Sequence, residues 1–257
     1  MNLLFLGDVV GGAGCAAVRK HLPALKRKYQ IDFTVVNGEN SADGNGILPG
    51  SADALLESGA DLLTTGNHVL RRKEIYERLD APEAPILRPA NFHPSTPGRG
   101  FCTVDMLRYR IGVINLMGNV YMDYCANVFD TVEEILPKLK DCSIVVVDLH
   151  GEATSEKLAM AHFLDGRVSL LVGTHTHVAT ADQQILPGGT GYITDLGMCG
   201  PTGSVLGVKP ELAIQKMRGN LPVRFENAPT TACISGIVAQ IDPKTGRTTK
   251  IDRIYIE

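Results

Sequence analysis

Short aliphatic and β-branched runs alternate with stretches of helical periodicity through the first two-thirds of the chain. Asn2 to Leu6 is apolar and closed by Gly7, which predicts a buried strand. From Ala16 to Tyr29, Val18, Leu22 and Leu25 fall on one helical face, with a kink expected at Pro23, which lacks a backbone donor. Phe33 to Val36 predicts the second strand and Ser51 to Ser58 a short helix with Ala52, Leu55 and Leu56 inward. Leu62 to Thr65 predicts the third strand, followed by an amphipathic helix around Lys73 to Leu79. Later strands are expected at Ile111 to Leu116, Ser143 to Leu149, Val168 to Val172 and Tyr192 to Thr194. Thr131-Val-Glu-Glu134 has the form of a capping box that opens a helix, and another helix is expected from Ser155. In the tail, Cys233 to Ile241 and Thr248 to Ile256 flank the turn-rich Asp242-Pro-Lys-Thr-Gly-Arg247, a pattern of two strands and their connection.

Alternating βα units followed by antiparallel strands predict an α/β protein, a mixed-sheet system with covering helices. No repeat or linker-like tract interrupts the chain, and the proline-rich Pro82 to Arg99 carries enough apolar residues to read as an ordered loop. One domain over residues 1–257 is therefore expected. A composition of 44% hydrophobic and 21% charged residues excludes a disordered chain. The net charge, 25 − 28 = −3, offers no polybasic footprint, so neither long nucleic acid nor a membrane surface is an expected partner. Small phosphate ligands need only local charge or a metal. No apolar run approaches the roughly 20 residues of a spanning helix. Met1 leads directly into Asn-Leu-Leu-Phe-Leu, without a basic segment or a small-residue cleavage site, so a cytoplasmic protein is expected. Six cysteines without a C-x-x-C pair read as buried, reduced thiols. The oligomeric state is not legible, and a homo-oligomer stays open.

The chemistry gathers where the strands end. Gly7-Asp8 closes the first, Asn37-Gly38-Glu39-Asn40 the second and Gly66-Asn67-His68 the third. Asp148-Leu149-His150-Gly151 and Gly173-Thr174-His175-Thr176-His177 close two later ones. In open α/β sheets the carboxyl ends of the strands form the ligand-binding edge. A single Asp after a strand is ordinarily a turn or cap residue, and Asn67 beside Gly66 could be a turn former. His175 and His177 are a sharper signal, because alternate residues of an extended segment share a side. Five strand ends carrying carboxylates, amides and imidazoles are hard to obtain from structural needs alone. Oxygen and imidazole donors without thiolates suit Mn, Fe, Co or Zn. A carboxylate such as Glu39 can bridge two cations, which points to a two-metal site.

Gly7-Asp8, Gly38-Glu39-Asn40, Gly66-Asn67-His68, His150-Gly151 and Gly173-Thr-His175-Thr-His177 together resemble the calcineurin-like metallophosphoesterases. With Arg88-Pro-Ala-Asn91, Gly191 to Pro201 and Arg224-Phe-Glu226, the pattern is similar to the bacterial YmdB-type branch, whose members are cyclic-nucleotide phosphodiesterases. Three positions depart from the general superfamily pattern: Val10 stands where a histidine is usual, Glu39 replaces an aspartate, and Val69 replaces an acidic residue that would orient the His68 ring. The resemblance implies a helix-flanked αββα sandwich of mixed sheets. It also implies two divalent or mixed-valence transition metal ions, Fe or Mn before Zn or Co. One would sit on Asp8, Glu39, Asn40 and His177, the other on Glu39, Asn67, His150 and His175. A metal-bridging hydroxide would attack phosphorus while His68 protonates the leaving oxygen. The implied substrates are 2′,3′-cyclic nucleotides first and 3′,5′-cyclic nucleotides second.

Other residues take plainer readings. His21 and His162 lie in helical segments and read as surface or core positions, while His93 could approach substrate from its loop. Arg88 reads as a surface salt bridge before a phosphate contact. Phe92, Tyr121 and Tyr124 could stack on a base but read first as packing. Asp148 faces away from Leu149 along its strand and falls outside the ligand set. A nucleotidase on the same scaffold and a non-enzymatic, metal-dependent regulatory protein are the nearest alternatives. A dinucleotide-binding oxidoreductase is the rival from another class, since Gly12-Ala-Gly14-Cys-Ala-Ala17 matches G-x-G-x-x-A. Against it, Gly7 to Gly11 separates the match from the strand, and Asp8 would lie beside a pyrophosphate.

Overall fold

Side-chain alternation along the strands sorts the core into three layers. The computed structural model describes residues 1–220 and 222–257. Its elements begin with β1 (Asn2–Leu6), β2 (Asp8–Val9), α1 (Gly11–Tyr29), β3 (Phe33–Asn37), α2 (Pro49–Glu57), β4 (Leu62–Thr64) and α3 (Tyr76–Asp80). Next come β5 (Phe101–Asp105), β6 (Arg110–Met117), α4 (Val128–Ile135), β7 (Ile144–His150), α5 (Thr154–Leu164) and β8 (Leu170–Thr174). The chain ends with β9 (Gln184–Ile185), β10 (Gly191–Ile193), β11 (Met198–Pro201), α6 (Pro210–Gly219), β12 (Ala232–Ile241) and β13 (Thr248–Ile256).

One sheet has the order β2-β11-β12-β1-β3-β4, with β13 added on β12; the other runs β5-β6-β7-β8-β10-β9. The β1, β3 and β4 strands are parallel, as are β6, β7, β8 and β10, while β12 runs antiparallel to β1 and β13. Leu3, Phe5 and Val35 from the first sheet meet Val113, Val146 and Val172 from the second between the sheets. The alternate residues Leu4, Leu6 and Val36 pack outward on Val18 and Leu22 of α1 and Leu55 of α2. On the far face Leu116, Val147 and Leu149 pack on Val132 of α4 and on Met160 and Leu164 of α5. The result is the expected α/β sandwich, helix–sheet–sheet–helix. Burying each such side chain fully is worth about 1.5–3 kcal/mol, enough to hold the parallel strand ends of both sheets at one rim.

Several local expectations are corrected. The capping box does not form: α4 opens at Val128, and Asn127 Oδ1 accepts from the backbone of Phe129 (2.9 Å) and Asp130 (3.2 Å). Thr131 lies a turn inside, donating to the Asn127 carbonyl at 2.8 Å, because asparagine four residues earlier already supplies the cap. The helix expected around Lys73 to Leu79 is reduced to α3, preceded by two 3₁₀ turns at Val69–Arg71 and Lys73–Ile75. The first helix begins at Gly11, earlier than its apolar periodicity indicates, and is one element through Pro23. Met198–Pro201 contains glycine and proline and resembles a turn, yet β11 pairs with both β2 and β12. Pro82 to Arg99 is ordered as expected, with Leu87 N donating to Leu63 O and Arg88 N to Arg99 O. All six cysteines are free thiols, but only Cys102, Cys199 and Cys233 are buried. No described helix is long and apolar enough to cross a membrane.

Candidate functional site

The rim where β2, β3, β4, β7 and β8 end brings together all eight residues singled out by the sequence. Asp8 belongs to β2, Glu39 and Asn40 follow β3, Asn67 and His68 follow β4, His150 closes β7, and His175 and His177 follow β8. His150 is the centre. Its Nε2 lies 3.1 Å from Asn67 Oδ1, 3.1 Å from His175 Nδ1 and 3.2 Å from Glu39 Oε1. Asp8 Oδ1 is 3.8 Å from His150 Nδ1 and 3.9 Å from His177 Nε2. Asn40 Nδ2 donates to Glu39 Oε1 at 2.9 Å and lies 3.3 Å from His177 Nε2.

The His175–His177 segment reaches the site by a different geometry from that expected. The strand stops at Thr174, and His175 and His177 have φ of 102° and 63°, so a loop and not the pleat aims their rings. Non-glycine residues in that region store strain and need surrounding structure to hold them. Here His175 N donates to Asp8 Oδ2 and Thr176 N to Asp195 Oδ2, both at 3.1 Å. The ammonium of Lys157 bonds Asp195 Oδ2 at 2.8 Å and the Thr174 carbonyl at 2.9 Å in a fully buried ion pair. His177 Nδ1 lies 3.1 Å from the carbonyl of Leu206.

Beneath the rim, Thr174 Oγ1 donates to Asp148 Oδ1 at 2.7 Å and lies 2.9 Å from His150 Nδ1. Asp148 thus sits beneath the rim and holds His150 through Thr174. The ring of His68, which finds no acidic residue at position 69, is held by Asn40, with Nδ1 to Oδ1 2.8 Å, and Glu39 Oε1 lies 3.7 Å from the same nitrogen. The backbone nitrogen of His68 donates to Glu39 Oε2 at 3.2 Å.

Burial opposes charge throughout the site, and neighbours decide the outcome. It raises the Asp8 carboxyl to about 6, against a partial offset by His177 and His150. Burial also disfavours ionised Glu39, but His150 and then His68 outweigh it and hold that carboxyl below the usual range. For His150 burial acts downward, yet Glu39, Asp8 and Asp148 carry it up to about 9. His175 has burial and the neighbouring His150 acting together and falls to about 3. His68 is lowered by burial, partly offset by Glu39.

Three observations fit this cluster to divalent cations. Glu39, His150 and His175 each offer a ligand atom, all within 4.8 Å of one another. Asp8 Oδ1 is buried without a hydrogen-bond partner among the described residues, as a carboxylate reserved for a cation would be. At Gly66 a Cβ would lie 2.2 Å from His150 Cδ2 and 2.4 Å from Glu39 Oε2, so even a methyl group would fill the cradle.

Other sequence readings resolve less favourably. Arg88 forms no surface salt bridge; it is buried, and its guanidinium donates to the carbonyls of Pro89 and Ala90. His93 is exposed, with Nδ1 2.8 Å from Ser95 Oγ. Phe92 packs against the outer core, whereas Tyr121 and Tyr124 are exposed instead of packed. Gly12 and Gly14 lie inside α1 and make no strand-end phosphate turn, which removes the basis for a dinucleotide fingerprint. The Asp148–Thr174 and Lys157–Asp195 pairs were not apparent from the sequence, since neither has a motif of its own. Nor was the 690 Å³ cavity onto which His68 opens, which gathers Arg71, Arg72, Arg224 and Phe225 from separate segments.

A two-sheet sandwich with carboxylates, amides and imidazoles at one rim is the frame of the calcineurin-like phosphatases and nucleotidases. At the level of fold alone, Haemophilus influenzae NAD nucleotidase is similar, with TM-score 0.59 and 13% identity over 99% of this chain and 55% of that one. A crystal structure described as a novel phosphatase from Mycoplasma pneumoniae superposes with TM-score 0.94 at 35% identity, covering 100% of this chain and 93% of the other. The 2′,3′-cyclic-nucleotide 2′-phosphodiesterase of Bacillus subtilis strain 168 is 45% identical over 100% of this chain and 97% of its own length. Residues 4–254 match the YmdB-like protein family, and the chain belongs to that family.

Proposed function

We propose that this protein is a metal-dependent phosphodiesterase that opens nucleoside 2′,3′-cyclic phosphates, with 3′,5′-cyclic nucleotides as a secondary substrate class. The observation that carries this reading is the convergence of Asp8, Glu39, Asn40, Asn67, His150, His175 and His177 beside a cavity-facing His68. That the chain acts on phosphoesters is supported by its relatives from B. subtilis and M. pneumoniae, named as phosphodiesterase and phosphatase. Asp8, Glu39, Asn40 and His177 would hold one cation and Glu39, Asn67, His150 and His175 the other, Fe or Mn suiting the mixed donor set. When bound there, two such cations would lower the pKa of a water and offset charge on the phosphoryl oxygens.

The residues of the chain supply the remaining functions. The Asn40 carbonyl faces His68 Nδ1 and holds the ring by that nitrogen, which leaves Nε2 for the departing O2′. Burial lowers the proton affinity of His68, which strengthens it as an acid, while its half-buried ring keeps contact with solvent for recharging. The Thr174 hydroxyl, committed to Asp148, accepts from His150 Nδ1 and directs Nε2 at the cluster. A single domain fits this reading, since the site draws on both sheets.

The test is a screen of the metal-loaded protein on cyclic mononucleotides, nucleotide monoesters and nitrophenyl esters. Turnover of 2′,3′-cyclic nucleotides with release of 3′-phosphates, abolished by chelation and restored by Mn²⁺, is expected. Turnover of monoesters alone would replace the assignment with a nucleotidase.

A further inference from the structure

The cavity beside His68 is built from three separate parts of the chain and carries a charge that the reaction centre does not use. It measures about 690 Å³ and is lined by the Asp43–Asn45 loop, by Arg71 and Arg72, and by Arg224 and Phe225. Arg71 and Arg72 lie one 3₁₀ turn beyond His68 in the chain. The Arg224–Asn227 segment is secured from the other side, where Val208 bridges Asn227 and Lys209 N donates to Glu226 O at 3.0 Å. Gly46, at φ +88°, lets the first loop close on this wall: a Cβ there would lie 2.9 Å from Arg72 Cγ. Arg72 Nε then donates to Asn45 O at 3.1 Å.

Three guanidiniums meet one carboxylate, Asp43, in this lining, and among the described residues none of the three forms a salt bridge. Phe225 is 51% exposed, an aromatic face presented at a cationic wall and not buried in a core. Guanidinium groups in that number fit phosphate, which they grip in pairs of parallel hydrogen bonds, and a free aromatic face fits a base.

The direction of the reaction says which phosphate. When the P–O2′ bond of a 2′,3′-cyclic phosphate breaks, water supplies the oxygen gained by phosphorus and the proton gained by O2′, and O3′ stays bound. Ribose and base therefore lie on the leaving-group side of phosphorus, where His68 stands, and the 5′ carbon lies farther out on that side. A second cavity, about 350 Å³, borders His177, Met198 and Tyr255, but it includes neither His68 nor any arginine or lysine.

Resting on the phosphodiesterase reading, we propose that the arginine-lined cavity receives the nucleoside together with a phosphate on its 5′ side. The preferred substrates are then 2′,3′-cyclic phosphates that carry a 5′ phosphate group, either as the 3′ end of a short oligoribonucleotide or as a 5′-phosphorylated mononucleotide. A 5′-hydroxyl cyclic mononucleotide fills only part of the site.

The experiment compares kcat/KM of the metal-loaded protein for adenosine 2′,3′-cyclic phosphate, its 5′-phosphorylated form, and the dinucleotide ApA ending in a 2′,3′-cyclic phosphate. An advantage of about tenfold or more is expected for the two extended substrates, shrinking as salt screens the arginines. The larger of the two advantages identifies the source of the phosphate. In Arg71→Ala/Arg72→Ala/Arg224→Ala, and to a smaller extent in Arg224→Gln alone, the ratio of extended to unextended substrate should fall toward one. Equal kcat/KM for all three substrates in wild type, or an unchanged ratio in both variants, would overturn the proposal. Binding is read in parallel, as the Kd of adenosine 3′,5′-bisphosphate against adenosine 3′-phosphate. If no cyclic phosphate is turned over, the phosphodiesterase reading fails and the Kd ratio alone decides: tighter bisphosphate supports the cavity assignment, and equal affinity overturns it.

Discussion

The seven-stranded sheet brings oxygen donors to the rim, Asp8, Glu39, Asn40 and Asn67, whereas the six-stranded sheet brings His150, His175 and His177. The two sides are held in different ways. On the oxygen side the side chains bond one another and the nearby backbone, with Glu39 touching Asn40, His150 and the His68 amide. An imidazole has to be fixed at its second nitrogen before the first can point anywhere. Accordingly His150 Nδ1 rests on Thr174, His177 Nδ1 faces Leu206 O, and His175 Nε2 lies 3.2 Å from Glu152 Oε2. The nitrogen side therefore depends on a buried polar foundation, Asp148–Thr174 and Lys157–Asp195, while the oxygen side depends on one carboxylate.

That contrast is broken most severely at Glu39. Glu39→Ala should lose both metals, measured by elemental analysis, and hydrolysis should fall to background; Asn67→Ala should retain more of both. Equal metal content in wild type and Glu39→Ala would remove Glu39 from its bridging position. Replacing His68 tests a group outside both proposed ligand sets. His68→Ala should lower kcat by about 10²–10⁴-fold with metal content nearly intact, and by less for a nitrophenyl ester, whose leaving group needs little protonation.

On the nitrogen side, Lys157→Met leaves Asp195 buried and uncompensated, and should destabilise the fold by about 3–5 kcal/mol, read by denaturant unfolding. Thr174→Val removes the hydroxyl that links Asp148 to His150 Nδ1, and should weaken metal affinity by about 10–100-fold in competition titrations with a chelator. If Thr174→Val bound metal like wild type, the foundation under His150 would be dispensable.

The last effect needs no substitution and is one of pH. A proton on Asp8, held to about 6 by burial, or on His150, held to about 9 by Glu39, occupies a position that a cation needs. His175, lowered to about 3, is already neutral at pH 7 and releases nothing. Between about 6 and 9, where Asp8 is ionised and His150 still carries its proton, metal affinity should therefore rise with pH by about tenfold per unit. Calorimetry in buffers of different ionisation enthalpy should accordingly detect about one proton released per chain on metal loading at pH 7. A flat profile from 6 to 9 would show that His150 is not displaced from its proton.

How far the sequence reaches differs between these regions. Strand ends such as Gly66-Asn67-His68 and Gly173-Thr-His175-Thr-His177 were legible because the chemistry is local, with donor and glycine adjacent in the chain. The sandwich was legible for a similar reason, since alternating apolar runs such as Leu3 to Leu6 mark sheets covered on both faces. Met198–Pro201 was not, because its partners β2 and β12, not its own residues, make it a strand. Asn40 holding His68, Asp148 supporting His150 through Thr174, and Arg224 with Phe225 facing Arg71 across a cavity were likewise out of reach. Each of these joins residues far apart in the chain, so the partners meet only when the packing of the two sheets and their loops sets the distances. Sequence alone determined which groups reach the rim; the tertiary structure decided what orients each of them and what lies beside them.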